Sequence, residues 1–151
     1  ASFHIITHAI GKITLFFCAG AIYVTAHVKK ISELGGLGFK TPMIFFAYTL
    51  GALSIIGVPP FIGSWSKLFL VIGSLEADFL FVAILLGISS LLNIYYLLQP
   101  VFIAFNKKNI KNIKITNAPL TIWPPMITGV GCLFLFFFSN YFLNIINGVV
   151  A

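Results

Sequence analysis

The stretch Gly51 to Leu70, GALSIIGVPPFIGSWSKLFL, decides the architecture of the chain. An apolar helical run reaches Gly57, Val58, Pro59, Pro60 and Gly63, where the backbone must leave the helix, and then resumes around Lys67. Proline removes a backbone donor and clashes with the turn before it. A charge at the centre of a bilayer costs roughly 2.5 to 3.5 kcal/mol on insertion scales. Irregular backbone at that depth persists only where protein buries it or where it lines a wet cavity. Both costs fall on one segment. Discontinuous helices and intramembrane ionisable residues are the materials of ion and proton paths through helix bundles, and this segment combines them.

The surrounding composition supports a bilayer as solvent. Of 151 residues, 60% are hydrophobic and 8% charged, against about 25% charged in an ordinary soluble domain. Arginine is absent, and seven of the nine lysines fall between apolar segments, so the net charge of +6 reads as membrane topology and not as a nucleic-acid surface. Cys18 and Cys132 lie in different apolar segments without CxxC spacing, which signals neither a disulfide framework nor a metal site. Buried, inert thiols are expected. The first segment carries His4, His8 and Lys12 in place of an uninterrupted apolar core, so it does not read as a signal peptide. A chain that opens inside a polar-faced helix is expected to be the C-terminal part of something longer.

The expected fold is an all-α integral membrane protein with about four transmembrane helices, the second discontinuous. Helices are expected at about 2–27, 42–75 broken at 57–63, 79–105 and 120–138, with a tail at 139–151. In the first, His4, Thr7, His8, Gly11 and Lys12 share one face at 100° per residue. His4, His8 and Lys12 stand at i, i+4 and i+8, each step climbing about 6 Å, and so form a ladder. One membrane histidine alone reads as an interhelical hydrogen bond; three groups in register ending on a lysine read as a proton or ion relay. His27 reads as a C-terminal cap.

The loop at 28–41, VKKISELGGLGFKT, reads as a flexible connection with a short amphipathic turn. No strand precedes its glycines and no GxGxxG spacing exists, so it is not a nucleotide fingerprint. The run 42–75 would be about 50 Å long as one straight helix, too long for a bilayer, and the break at Gly57, Pro59, Pro60 and Gly63 resolves the excess. Ser64 or Ser66 is expected to cap the second half-helix. The third segment carries Ser89, Ser90, Asn93, Tyr96 and Gln99, a polar stripe facing protein or water, for which interhelical hydrogen bonding is the simpler reading. The fourth opens with Trp123-Pro124-Pro125 at an interface. The tail alternates apolar residues with Asn140, Asn144 and Asn147 as an interfacial helix or frayed end would.

These residues also carry a resemblance. His4-x3-His8-Ala9-x2-Lys12, LGGLG, LGALSIIGVPPFIGSWSK and SSLLNIYYLL resemble the proton-antiporter membrane family shared by antiporter-like subunits of respiratory complex I, Mrp-type cation/proton antiporters and membrane-bound hydrogenases. ISELGGLG, IGSWSKLFLVIGSLEA and SSLLN look most similar to the D-type member of the Mrp cation/proton antiporter subunits. The resemblance implies the last four or so helices of a subunit of about fourteen. It implies that Lys67 is the terminal proton site on the second broken helix, Lys12 the central lysine, and His4 and His8 the relay histidines. Thr7, Ser66, Ser89, Asn93 and Tyr96 are the expected supporting polar groups. Expected partners are the lipid bilayer, other membrane subunits and an N-terminal half of the same subunit. The expected location is multi-pass in a bacterial plasma (inner) membrane.

The function expected is proton translocation, with sodium as a further candidate ion, through this Lys/His relay in a multisubunit cation/proton antiporter. Desolvation brings a lysine's proton affinity toward the neutral range, where an exposed amine at about 10.4 could not exchange. The alternatives are a proton-pumping membrane subunit of a complex I or hydrogenase-type NADH:quinone oxidoreductase, and a structural scaffold whose lysines only snorkel. No cofactor or metal is expected: the sequence carries no NAD, flavin, haem or iron–sulfur ligand pattern, and no catalytic residues are assigned.

Lysines number three in the first loop, none in the acidic turn Glu76-Ala77-Asp78 and four in the loop 106–119, which orients the lysine loops toward the cytoplasm. Single cysteines at Lys30 and Lys111 are therefore expected to react with an impermeant thiol reagent only from the cytoplasmic side. One at Asp78 is expected to react only from the other side, and external labelling at Lys111 would overturn this orientation.

Overall fold

The computed structural model describes residues 2–106, 115–116, 118–138 and 141. Among the described residues six helices follow in order: α1 (Ser2–Ala26), α2 (Leu37–Lys40), α3 (Pro42–Ile56), α4 (Ile62–Glu76), α5 (Leu80–Ala104) and α6 (Trp123–Phe137), with single 3-10 turns at Ile31–Glu33 and Pro119–Thr121. No strand occurs among the described residues. Three helical runs among the described residues, His4–Ala26, Leu80–Ala104 and Pro119–Phe137, are long and apolar enough to cross a membrane unaided. The remaining crossing is shared by α3 and α4. Each has 15 residues, about 22 Å of helix, which is too short to span alone. The tail 139–151 lies outside the described residues apart from Tyr141.

α3 is the centre of the bundle and packs against α1, α4, α5 and α6. Small residues let α1 approach it: a Cβ on Gly51 would meet the Thr14 side chain at 3.0 Å, and one on Gly11 would meet Ile55 at 2.8 Å. The core runs through Cys18, Ile22, Leu37, Ile44, Phe45 and Ala104. Both cysteines are buried and free. Large apolar side chains cover the outside: Phe81 and Phe102 on α5 are each 71% exposed. In water such a surface would aggregate; against lipid tails it is the favourable face.

The loop 28–41 is not the loose connection expected. Leu34 and Leu37 are buried in the core, and a Cβ on Gly38 would meet Phe105 at 2.9 Å and the Ala104 carbonyl at 3.0 Å. Gly38 serves close packing of the loop against the end of α5, while Gly36 turns the chain at φ 79°. A composition rich in glycine cannot separate that role from flexibility. His27 ends α1 in the left-handed region at φ 53°, its N–H bonded to the Tyr23 carbonyl at 2.9 Å. At the opposite end, Asp78 takes φ 57° and closes a tight hairpin between α4 and α5, with Phe79 N–H donating to the Ser74 carbonyl at 2.8 Å.

The break itself runs from Gly57 to Phe61, two residues shorter than expected, because Ile62 and Gly63 already belong to α4. Gly57 terminates α3 at φ +87°, a conformation that side chains disfavour, and its N–H bonds the Leu53 carbonyl at 3.0 Å. The peptide bond between Pro59 and Pro60 is cis. Gly63 is needed for a different reason: a Cβ there would run into the Ser54 backbone carbonyl of α3. Neither serine caps α4. Phe61 occupies the cap position, extended at φ −106°, while Ser64 donates to the Phe61 carbonyl at 2.7 Å and Ser66 to the Gly63 carbonyl at 2.9 Å.

Because the obstruction at Gly63 is backbone against backbone, Gly63→Ala in the complete subunit is expected to lower stability by about 1 to 3 kcal/mol. Gly73→Ala on the same helix, where nothing lies within 4 Å, is expected to be neutral. Thermal unfolding in detergent, compared between the two variants, is the check; equal melting temperatures would refute the tight α3–α4 contact.

Candidate functional site

The break leaves the last carbonyls of α3 without helical partners, and one of them acquires a cation. Lys67, on the second turn of α4, folds back so that Nζ donates to the Ile56 carbonyl at 2.8 Å and to Ser90 Oγ of α5 at 2.8 Å. Ser90 in turn donates to the Leu86 carbonyl at 2.9 Å. A positive charge at the C-terminal end of a helix is favourably placed, since the helix dipole is negative there. Gly57 is what gives the lysine passage: a Cβ on it would meet Lys67 Cδ at 2.8 Å. Both of these acceptors are neutral oxygens, and they take two of the three N–H groups of the ammonium.

From Lys67 the polar groups continue onto α1. Ser66, its chain neighbour, is buried, and its Oγ lies 3.1 Å from His4 Nδ1. The His4 ring stacks on that of His8, with centroids 5.4 Å apart and 24° between planes. His8 and Lys12 then line one cavity of about 600 Å³ together with Tyr48 of α3 and Ser89, Asn93 and Tyr96 of α5. Lys67 and Ser90 line a second, of about 520 Å³, with Pro59, Ser64 and Trp65. Ser89 and Ser90 are adjacent on α5 and therefore about 100° apart around the helix, so this helix contributes to both cavities.

The spatial order differs from the ladder as read along the sequence. Along the sequence the ladder ends on Lys12, with the break beyond it. In the fold the rung that meets α4 is His4, so the two histidines stand between the two lysines. Thr7 is buried but donates to the His4 carbonyl of its own helix at 3.0 Å. Lys12 is exposed at the mouth of its cavity. Two contributors are not among the expected site residues: Ser90, whose neighbour Ser89 is, and Tyr48, an aromatic on an apolar helix. The i+3 and i+4 stripe through Asn93 and Tyr96 includes both Ser89 and Ser90, so spacing alone could not choose between them. No group of three or more His, Cys, Asp or Glu residues able to hold a metal occurs among the described residues.

These residues lie within a recognisable family. The profile of the family described as NADH:quinone oxidoreductase/Mrp antiporter, transmembrane, matches residues 1–93. The chain belongs to that family. It is thus an all-α, multi-pass membrane protein, and the matched region contains His4, His8, Lys12, Lys67 and Ser90. Subunit N of the NADH-quinone oxidoreductase of Desulforudis audaxviator is 40% identical over 108 residues, covering 71% of this chain and 21% of that protein. Subunit L from Buchnera aphidicola subsp. Baizongia pistaciae is 33% identical over 104 residues, 68% of this chain and 17% of the relative. The chloroplastic NAD(P)H-quinone oxidoreductase subunit 5 of Chara vulgaris is 28% identical over 161 residues, 93% of this chain and 24% of the relative. The chain thus spans about a fifth of the length of these curated relatives. No solved structure matches it. The family profile joins the two branches, so it supports the antiporter-like family as a whole and not the D-type Mrp member in particular.

A hydrogen bond to a charged group is worth about 1.5 to 3 kcal/mol. A double-mutant cycle of Ser90→Ala with Lys67→Met, read by thermal unfolding of the complete subunit, is expected to give a coupling of about that size. The same cycle with Ser89→Ala is expected to give none, and the reverse result would move the lysine to the other cavity.

Proposed function

We propose that this chain conducts protons across the membrane as part of an antiporter-like subunit of a multisubunit complex. Protons pass between Lys12 and Lys67 by way of His8, His4 and Ser66. The observation that supports this most strongly is the seating of Lys67. A lone lysine in hydrocarbon is costly, and here it is held at a helix break by the Ile56 carbonyl and Ser90, one residue from the serine that meets the histidine pair. In this reading Lys67 alternately binds and releases a proton. Its two neutral acceptors hold the protonated amine in place, and water in the two cavities completes the links that side chains leave open.

Two assemblies share the family. The relatives named above are subunits N, L and 5 of quinone oxidoreductases, which favours the membrane arm of such an enzyme as the setting. The stretches ISELGGLG and IGSWSKLFLVIGSLEA support the place of the D-type member in an Mrp cation/proton antiporter, with sodium as the counter-ion. In either assembly the remainder of the subunit and the neighbouring membrane subunits are the partners, and a bacterial plasma membrane is the proposed location. Proton uptake driven by NADH and quinone supports the first setting, and uptake driven by a sodium gradient the second.

The relay reading and a scaffold reading part at Lys67. In the complete subunit, Lys67→Ala is expected to abolish proton movement while leaving assembly intact. Lys67→Arg is expected to cost at least about tenfold, because arginine keeps its charge at every physiological pH. His4→Gln and His8→Gln are expected to lose activity in part, since water can bridge a missing ring in a hydrated path. The measurement is proton uptake into vesicles normalised to assembled complex; full activity in Lys67→Ala would overturn the mechanism.

A further inference from the structure

The geometry points to a binding site for an anionic phospholipid at the lysine-rich end of the bundle, where the loop before α6 crosses the ends of α1 and α3. Thr116 N–H donates to the Thr25 carbonyl at 2.8 Å and so ties that loop to the end of α1. The seam leaves a cavity of about 390 Å³, within the range of small-molecule sites. Its lining combines two chemistries: Lys40, Thr41 and Thr116 are polar, and Met43, Ile115 and Ile122 are apolar. Lys40 is exposed at this cavity, and the side chain of Met43 is 58% exposed beside it.

Charge and depth together select the occupant. The loops at this end carry seven lysines and one acid, Glu33, whereas the opposite turn carries Glu76 and Asp78 and no base. Such an end attracts anions, and a basic pocket between transmembrane helices on the lysine-bearing side is the setting in which phosphate headgroups bind. Trp123 follows at once and is 65% exposed, as an aromatic at the headgroup level would be. A soluble anion would use only the polar residues of the lining. A phospholipid uses both, its phosphate at Lys40 and the start of an acyl chain along Met43 and Ile122. The N-terminal residues of α3, Pro42 and Met43, also line the cavity, and the positive end of that helix dipole adds to the attraction.

The test uses the complete assembly, extracted in mild detergent and re-equilibrated in nanodiscs of phosphatidylethanolamine with a minority of phosphatidylglycerol. Retained lipid is counted by native mass spectrometry. Wild type is expected to retain phosphatidylglycerol in preference to phosphatidylethanolamine. Loss of one lysine near the surface weakens anionic-lipid binding by about fivefold. Lys40→Ala is therefore expected to reduce retention by about that factor, and Lys40→Glu to remove the preference. Lys30→Ala, at the same end but outside the cavity, is expected to change it by less than about twofold. Millimolar inorganic phosphate is expected to leave the lipid in place. Retention unchanged in Lys40→Glu, no preference over phosphatidylethanolamine in wild type, or displacement by phosphate alone would each overturn the assignment.

Discussion

The bond between the Lys67 ammonium and the Ile56 carbonyl is the interaction around which the polar groups of this bundle are arranged. Each partner would be untenable in hydrocarbon alone. A helix broken at mid-membrane frees carbonyls that no water satisfies, and a lysine at that depth lacks acceptors. Placed together, with Ser90 as second acceptor, they offset one another's desolvation. The local sequence serves this pairing. Gly57 turns the chain and leaves room for the lysine stem, Pro59 and Pro60 prevent the helix from continuing, and Gly63 lets α4 start against the Ser54 carbonyl. Shifting any of these would move the lysine from its acceptors.

That pairing sits beside α1 only because α1 and α3 approach closely. Gly11 and Gly51, with Thr14 between them, bring the backbones together, and Thr14 is fully buried at the crossing. In lipid such close packing substitutes for the hydrophobic drive that joins helices in water. The consequence for the site is positional. Ser66 comes within 3.1 Å of His4, and the stacked His4 and His8 rings extend the polar line toward Lys12 and Tyr48. A polar line in hydrocarbon is stable when each group has a partner or a cavity wide enough for water, and both conditions recur along it.

The two ends of the bundle differ in the same economical way. At the acidic end, α4 and α5 are joined by a short hairpin closed by backbone hydrogen bonds from Asp78 and Phe79 to Leu75 and Ser74. At the lysine end, the loop 28–41 is drawn into the core by Leu34 and Leu37, while its lysines stay outside. In this loop charge is kept at the surface and apolar residues are used as packing, so the loop is structured as well as charged.

Residue types and periods determined much of this protein. The all-α membrane class follows from hydropathy, the position of the broken helix from its glycines and prolines, the faces of the histidine ladder from helical spacing, and the family from the motifs those residues form. These are properties of segments, and a bilayer imposes them one segment at a time through length, polarity and backbone satisfaction. What lies between segments was decided only by tertiary structure. That Ser90 and not Ser89 meets Lys67 depends on the rotation of α5 about its axis. That His4, the rung farthest along the sequence from Lys67, is the one nearest it depends on the antiparallel run of α1 beside the break. That LGGLG is packed tightly depends on Phe105, more than sixty residues away. The pattern within a helix fixes which face is polar, but only packing against other helices fixes what that face meets.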